Sequence, residues 1–293
     1  MGMKPIQGRK QLILGVIVIL ALLGITVVGL SGRGLRGLIS SNIRSISSLS
    51  KAVLNSRSIS SNGDFTNIIF LHHSTGDNLI RQGGVRERFM EAGYGFWDHG
   101  YNHQGLRRPD GTATGYSYNI PDDNTDPDGF ARIFSQRLNE LPLNAFSGLL
   151  QYDVIAFKSC FPVSDIASDE QLETYKTYYL SIRDVMGQHP DKIFVVVTQP
   201  PLNPAATDAE TAARAGAFAN WLKSNEYVFT FAFFGYLAED DPTSPDYNML
   251  REAYRDGTDS HPNATANETI GPLFVDFIIN AIQTYRATYP GRS

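Results

Sequence analysis

Short apolar runs alternate with stretches of helical periodicity along most of this chain, and that alternation is the strongest constraint on its fold. NIIFLH (Asn67–His72), GFWDH (Gly95–His99), DVIAFK (Asp153–Lys158) and IFVVVT (Ile193–Thr198) each read as a strand buried on both faces. Tyr227–Phe234 is an aromatic-rich fifth. Between them, Ser168 with Gln171 and Thr207 with Glu210 have the spacing of capping boxes. These predict helices to about Gly187 and Lys223. FVDFIINAIQTY (Phe274–Tyr285) predicts a closing amphipathic helix. Strands alternating with helices imply βαβ units, so the expectation is an α/β domain with a mainly parallel five-stranded sheet covered on both faces.

The N-terminus does not belong to that domain. Residues 1–10 are a short tail carrying Lys4, Arg9 and Lys10, and residues 11–32 contain no charge. About 20 apolar residues at 1.5 Å each span the roughly 30 Å hydrocarbon core of a bilayer. The run exceeds the ~7–15 residues of a signal-peptide core. The expectation is therefore a transmembrane signal anchor. Basic residues before it favour an N-terminus inside and a C-terminal domain outside the cytoplasm, although Arg33, Arg36, Arg44 and Lys51 follow it. Residues 33–63 are Ser-rich and lack aromatic residues until the domain begins at 64, which reads as a linker.

Composition narrows the function classes. A hydrophobic fraction of 42% supplies a core, and a net charge of −5 argues against a nucleic-acid partner. The single cysteine, Cys160, excludes an intrachain disulfide and a Cys-rich zinc site. No cofactor is expected.

In a parallel sheet, ligands bind at the carboxyl ends of the strands. There the chain places His72-His73-Ser74-Thr75-Gly76, Lys158-Ser159-Cys160-Phe161-Pro162 and Gln199-Pro200-Pro201, and Asp259-Ser260-His261-Pro262-Asn263 precedes the last helix. A serine at a strand-to-helix turn, a histidine to take its proton and an acid to orient the imidazole form the constellation of acyl transfer. Helix capping by Ser74 and a turn role for His261 are the plainer readings.

IIFLHHSTG, followed late by DSHPN, resembles the SGNH (GDSL-type) hydrolase superfamily, and VVVTQPPL is similar to that family's fourth strand and the prolines after it. The resemblance implies a three-layer α/β/α sandwich and ester hydrolysis, with Ser74 as nucleophile, His261 as base, and the Ser74 N–H in the oxyanion hole. It also marks departures. His72-His73 stands where the family has Gly-Asp. Asp259 lies two residues before His261 rather than three, where Thr258 sits, so Asp259, Asp256 or a dyad without an acid are the choices. Gly100 or Gly105 matches the family's oxyanion glycine. Ser159 is the candidate for the second donor, because no Asn follows the third run. His73, Lys158 and Cys160 are candidate pocket residues.

The expected protein is a membrane-anchored, extracytoplasmic serine esterase acting on a small-molecule or glycan ester. Two other readings stand beside it. One is a non-catalytic glycan- or partner-binding domain on the same scaffold. The other is a metal-dependent hydrolase using His99 and His103. The carboxylates at positions 122–128 suit an ordered turn or, less naturally, calcium.

Overall fold

The computed structural model describes residues 59, 64–121, 126–139, 144–224 and 229–289. The tail, the charge-free run 11–32 and all of the linker but Ile59 lie outside them. Among the described residues no helix is long and apolar enough to cross a membrane. The expected anchor at 11–32 is not among the segments that statement covers.

Among the described residues, six strands form one sheet in the order β3-β2-β1-β4-β5-β6. They are β1 (Asn67–Leu71), β2 (Gly95–His99), β3 (Leu106–Arg107), β4 (Val154–Lys158), β5 (Ile193–Val197) and β6 (Thr230–Phe231). β1 pairs in parallel with both β2 and β4, and β4–β5 and β5–β6 are parallel too. β3 alone is antiparallel, folded back on β2 through Asp98↔Arg107 and His99↔Leu106. This short edge strand is the sixth, where five were expected, because two residues carry no readable periodicity. The aromatic-rich fifth run contributes only Thr230–Phe231 to the sheet before Phe233–Leu237 turns helical. Phe231, Phe233 and Phe234 are buried whether in the strand or in the helix, so apolar character alone does not separate the two.

The helices are α1 (Ser74–Gln82), α2 (Val85–Glu91), α3 (Pro127–Phe134), α4 (Ala145–Leu149), α5 (Asp169–Met186), α6 (Ala209–Ser224), α7 (Phe233–Leu237) and α8 (Ala264–Thr288). Alternate strand residues divide the core between the two faces of the sheet. Ile68, Phe70, Val154, Ala156, Val195 and Val197 pack with side chains of α1, α2 and α8 on one face. Ile69, Leu71, Ile155, Phe157, Phe194 and Val196 pack with α3, α4, α5 and α6 on the other. The result is the three-layer α/β/α sandwich.

Ser168 caps α5 as expected, its Oγ accepting the Gln171 N–H at 3.2 Å, and Gln171 reaches back to the Ala167 N–H. The cap of α6 is Asp208 rather than Thr207, with Oδ1 accepting the Thr211 N–H at 2.8 Å. α8 starts at Ala264, ten residues before the expected Phe274. Gly271-Pro272 conceals its first turns, because proline inside a helix removes a hydrogen bond and usually ends the pattern.

Candidate active site

Ser74 is the first residue of α1, directly after β1 and two extended histidines. Its position follows from the chain path. β1 runs apolar to Leu71, His72 donates its backbone N–H to the His99 carbonyl at 3.1 Å, and the helix begins with the Asp77 N–H bonding the His73 carbonyl at 2.9 Å. The N–H groups of Ser74, Thr75 and Gly76 therefore precede the first intrahelical bond, at the positive end of the helix. This turn is tight. A Cβ on Gly76 would lie 2.8 Å from the His72 Cγ, so only glycine lets the helix close over that ring.

The His261 Nε2 lies 2.8 Å from the Ser74 Oγ, across 187 positions of sequence. The Asp259 Oδ1 accepts from the ring Nδ1 at 2.8 Å and from the backbone N–H of the same histidine at 3.0 Å. One carboxylate oxygen thus fixes both the backbone and the imidazole of His261. This double grip explains how an acid only two residues before the base can serve. Asp256 does not take the role: its carbonyl accepts the Asp259 N–H instead. With Nδ1–H directed at a carboxylate, the Nε2 lone pair faces the serine hydroxyl, as a general base requires. The hydrogen bond from the His261 ring, helped by its backbone N–H, holds the Asp259 carboxyl below the usual range despite partial burial. It therefore stays ionised beside the base.

Asn203, which the sequence did not single out, holds the loop that carries this pair. Its Nδ2 donates to the Gly257 and Asp259 carbonyls at 3.1 and 3.0 Å, and its backbone N–H donates to the Ser260 Oγ at 3.0 Å. Ser164 donates to the Pro200 carbonyl, joining the loop after β4 to the loop after β5. Phe161 sets its ring edge-on to His261, with centroids 5.3 Å apart. Asn263 then caps α8 by accepting the Ala266 N–H. Ser164, Phe161 and Asn203 follow strand ends, and Asn263 precedes the last helix.

The other candidates divide. Gly100 follows β2 beside His72, whose Cε1 lies 3.6 Å from where a Cβ on Gly100 would be. It stays at the strand mouth, next to the turn that carries Ser74. Gly105, at φ +65, serves the turn before β3. Ser159, the candidate second donor, is buried at the end of β4. Its hydroxyl sits 2.9 Å from the Tyr179 hydroxyl inside the core, and its backbone amide faces the same oxygen.

His73, Lys158 and Cys160, the candidate pocket residues, are also buried. Burial, with the nearby Lys158, pulls the His73 ring down to about 3. The His73 ring packs at a tilt against Tyr101, which stacks on His103. Burial also lowers the Lys158 ammonium, and its Nζ donates to the Ser159 carbonyl. The Cys160 Sγ rests 3.8 Å from the Thr75 Oγ1.

His99 and His103 do not assemble into a metal pair. The His99 Nε2 accepts the Tyr118 N–H at 3.1 Å, and burial pulls its ring down to about 4, whereas His103 is exposed on the following turn. Among the described residues no group of three or more His, Cys, Asp or Glu could hold a metal ion. Of the carboxylate-rich stretch, Asp126 stands at the N-cap position of α3 and Asp128 pairs with Arg132, while residues 122–125 lie outside the described ones.

No family model and no curated protein matches the chain. Among solved structures it is similar to a provisionally assigned acylhydrolase of Bacteroides fragilis, with a TM-score of 0.42 and 10% identity over 75% of this chain and 88% of that one. It is also similar to a GDSL-like lipase of Bacteroides thetaiotaomicron, with a TM-score of 0.44 and 10% identity over 80% of this chain and 97% of that one. The chemistry of the site rests on its own distances.

Proposed function

We propose that the protein is a serine ester hydrolase that works through an acyl-enzyme on Ser74. The observation that carries the reading is the continuous bond line from the Ser74 Oγ through His261 to Asp259. In this mechanism the Oγ attacks the ester carbonyl as its proton passes to the His261 Nε2. The imidazolium that forms is stabilised by Asp259. The oxyanion develops at the start of α1, where the Ser74 N–H has no helical partner, and Gly100 on the neighbouring strand end is the candidate second donor. His261 returns the proton to the leaving alcohol, and water repeats the sequence on the acyl-enzyme.

The charge-free run 11–32 supports a tethered domain, and the basic residues before it support an outward-facing one. A domain on that side of a membrane meets acylated glycans, which makes them the natural ester class to assay beside model substrates. The test compares hydrolysis of p-nitrophenyl acetate, and acetate release from acetylated glycans, by the full chain and its Ser74→Ala variant. Loss of at least about 10³-fold in the variant is expected. Equal rates would remove Ser74 from the mechanism.

A further inference from the structure

The two histidines before Ser74 replace small or acidic residues expected at such a turn, and His72 has a defined set of partners. It is buried beneath the first turn of α1. Its Nδ1 lies 2.9 Å from the His73 carbonyl oxygen, and its Nε2 lies 3.1 Å from the Asp98 Oδ2. Each ring nitrogen thus faces an oxygen that accepts hydrogen bonds. The other Asp98 oxygen pairs with the Arg86 guanidinium. Arg86 in turn donates to the Phe96 and Arg108 carbonyls, which ties α2 to β2 and to the segment after β3. Asp98 remains a carboxylate: burial pushes its carboxyl up, but the hydrogen bond and charge of His72, with Arg86, outweigh that and lower it.

The far end of this line is the His73 carbonyl. That oxygen also accepts the Asp77 N–H at 2.9 Å, the bond that starts α1. One atom therefore receives both the first turn of the nucleophile helix and the ring from behind. Resting on the serine-hydrolase reading above, we propose that Arg86, Asp98 and His72 form a buried line that holds the Ser74 turn at its working distance from His261, with His72 as the positioning residue. His72 touches no reacting atom and acts through the His73 carbonyl. The charged groups facing it are Asp98 from β2, with Arg86 of α2 behind that carboxylate. His73, His99 and Lys158 complete the basic surroundings of the turn.

Two substitutions divide the ring into its halves. His72→Asn keeps a donor where Nδ1 stands and drops the Asp98 link. His72→Gln keeps a donor near Nε2 and drops the bond to the His73 carbonyl. The experiment is single-turnover acylation of the full chain by p-nitrophenyl acetate, read as a rate constant that does not depend on the folded fraction. His72→Gln is expected to acylate roughly 10- to 100-fold more slowly with little change in KM, the scale of a small misplacement of a reacting group. His72→Asn is expected to recover most of that rate.

Wild-type acylation in His72→Gln, or equal loss in both variants, would overturn the positioning role. Should His72→Gln yield no folded protein, Arg86→Gln at the less buried end of the line decides alone: a slower rate at unchanged KM upholds the proposal, and the wild-type rate overturns it. Ser74→Ala separates the two readings. An acylation burst that persists in it removes the parent mechanism and this role together. A burst that is lost in Ser74→Ala, alongside wild-type acylation in His72→Gln, removes only the role of His72.

Discussion

Gly83 and Gly271 touch backbone to backbone: a Cβ added to Gly83 would lie 2.8 Å from the Gly271 Cα and 2.7 Å from the Asn267 carbonyl. The first glycine ends α1, which begins with Ser74, and the second lies in α8, which begins just after His261. Asn267 bonds across the same crossing to the Gln82 Oε1 at 2.6 Å. The close approach sets the spacing between the helix that begins with Ser74 and the helix that follows His261. Gly271→Ala should force them apart, destabilising the protein by about 1–3 kcal/mol as overpacking does. It should also lower kcat more than it raises KM. Thermal melting and ester kinetics on one preparation check both parts.

Asn203 is the next point of failure. Its amide holds the Gly257 and Asp259 carbonyls from outside the loop that bears the acid and base. Asn203→Ala leaves those carbonyls without that donor, at a cost of about 1–3 kcal/mol. It also frees the loop to move His261 away from Ser74. A fall in kcat of roughly 10- to 100-fold is expected, with KM nearly unchanged. A fall in KM affinity without a fall in kcat would assign Asn203 to substrate binding instead.

Much of this site was legible in the sequence because strand ends are marked by composition. NIIFL and IFVVV announce their strands, and the polar residues after them fall at the mouth of the sheet by topology. Ser74 and His261 followed from that placement and from the resemblance of HHSTG and DSHPN. What stayed hidden depends on side-chain direction. Nothing in KSC reveals that Ser159 turns to Tyr179, and nothing in a lone asparagine after two prolines marks Asn203 as the clamp on Asp259. The spacing of Asp259 looked irregular for the same reason, since the double acceptance by one oxygen is visible only in three dimensions.

Asp259 offers a test of the orienting acid. Asp259→Asn keeps the shape but presents an amide that is able to donate toward Nδ1, favouring the tautomer with its hydrogen on Nε2. That places a hydrogen where the base needs a lone pair. A drop of about 10²–10⁴ in kcat is expected, toward the lower end because solvent reaches this carboxylate. Asp256→Asn should stay within about threefold of wild type, since its carbonyl rather than its carboxylate bonds Asp259. If the Asp256 variant loses more activity than the Asp259 variant, the assignment of the acid is reversed.

Acid sensitivity follows from the histidines under the turn. Burial pulls the His73 ring down to about 3 and the His99 ring down to about 4. In the unfolded chain both would titrate near 6.5. Between those limits the unfolded state binds more protons than the folded one, so stability rises with pH and falls on acidification. The neutral rings contribute fully above about 6.5, and that contribution shrinks as the pH drops toward 4 and then 3, with a slope of about 1.4 kcal/mol per pH unit for each proton. The His99 ring accepts the Tyr118 N–H, so protonating it also breaks the anchor of the segment after β3. Urea midpoints measured from pH 7 to pH 4 should decline steadily. His99→Gln, whose carbonyl oxygen can accept the Tyr118 N–H, should flatten the slope. An unchanged slope in that variant would mean that His99 is not neutral in the folded protein.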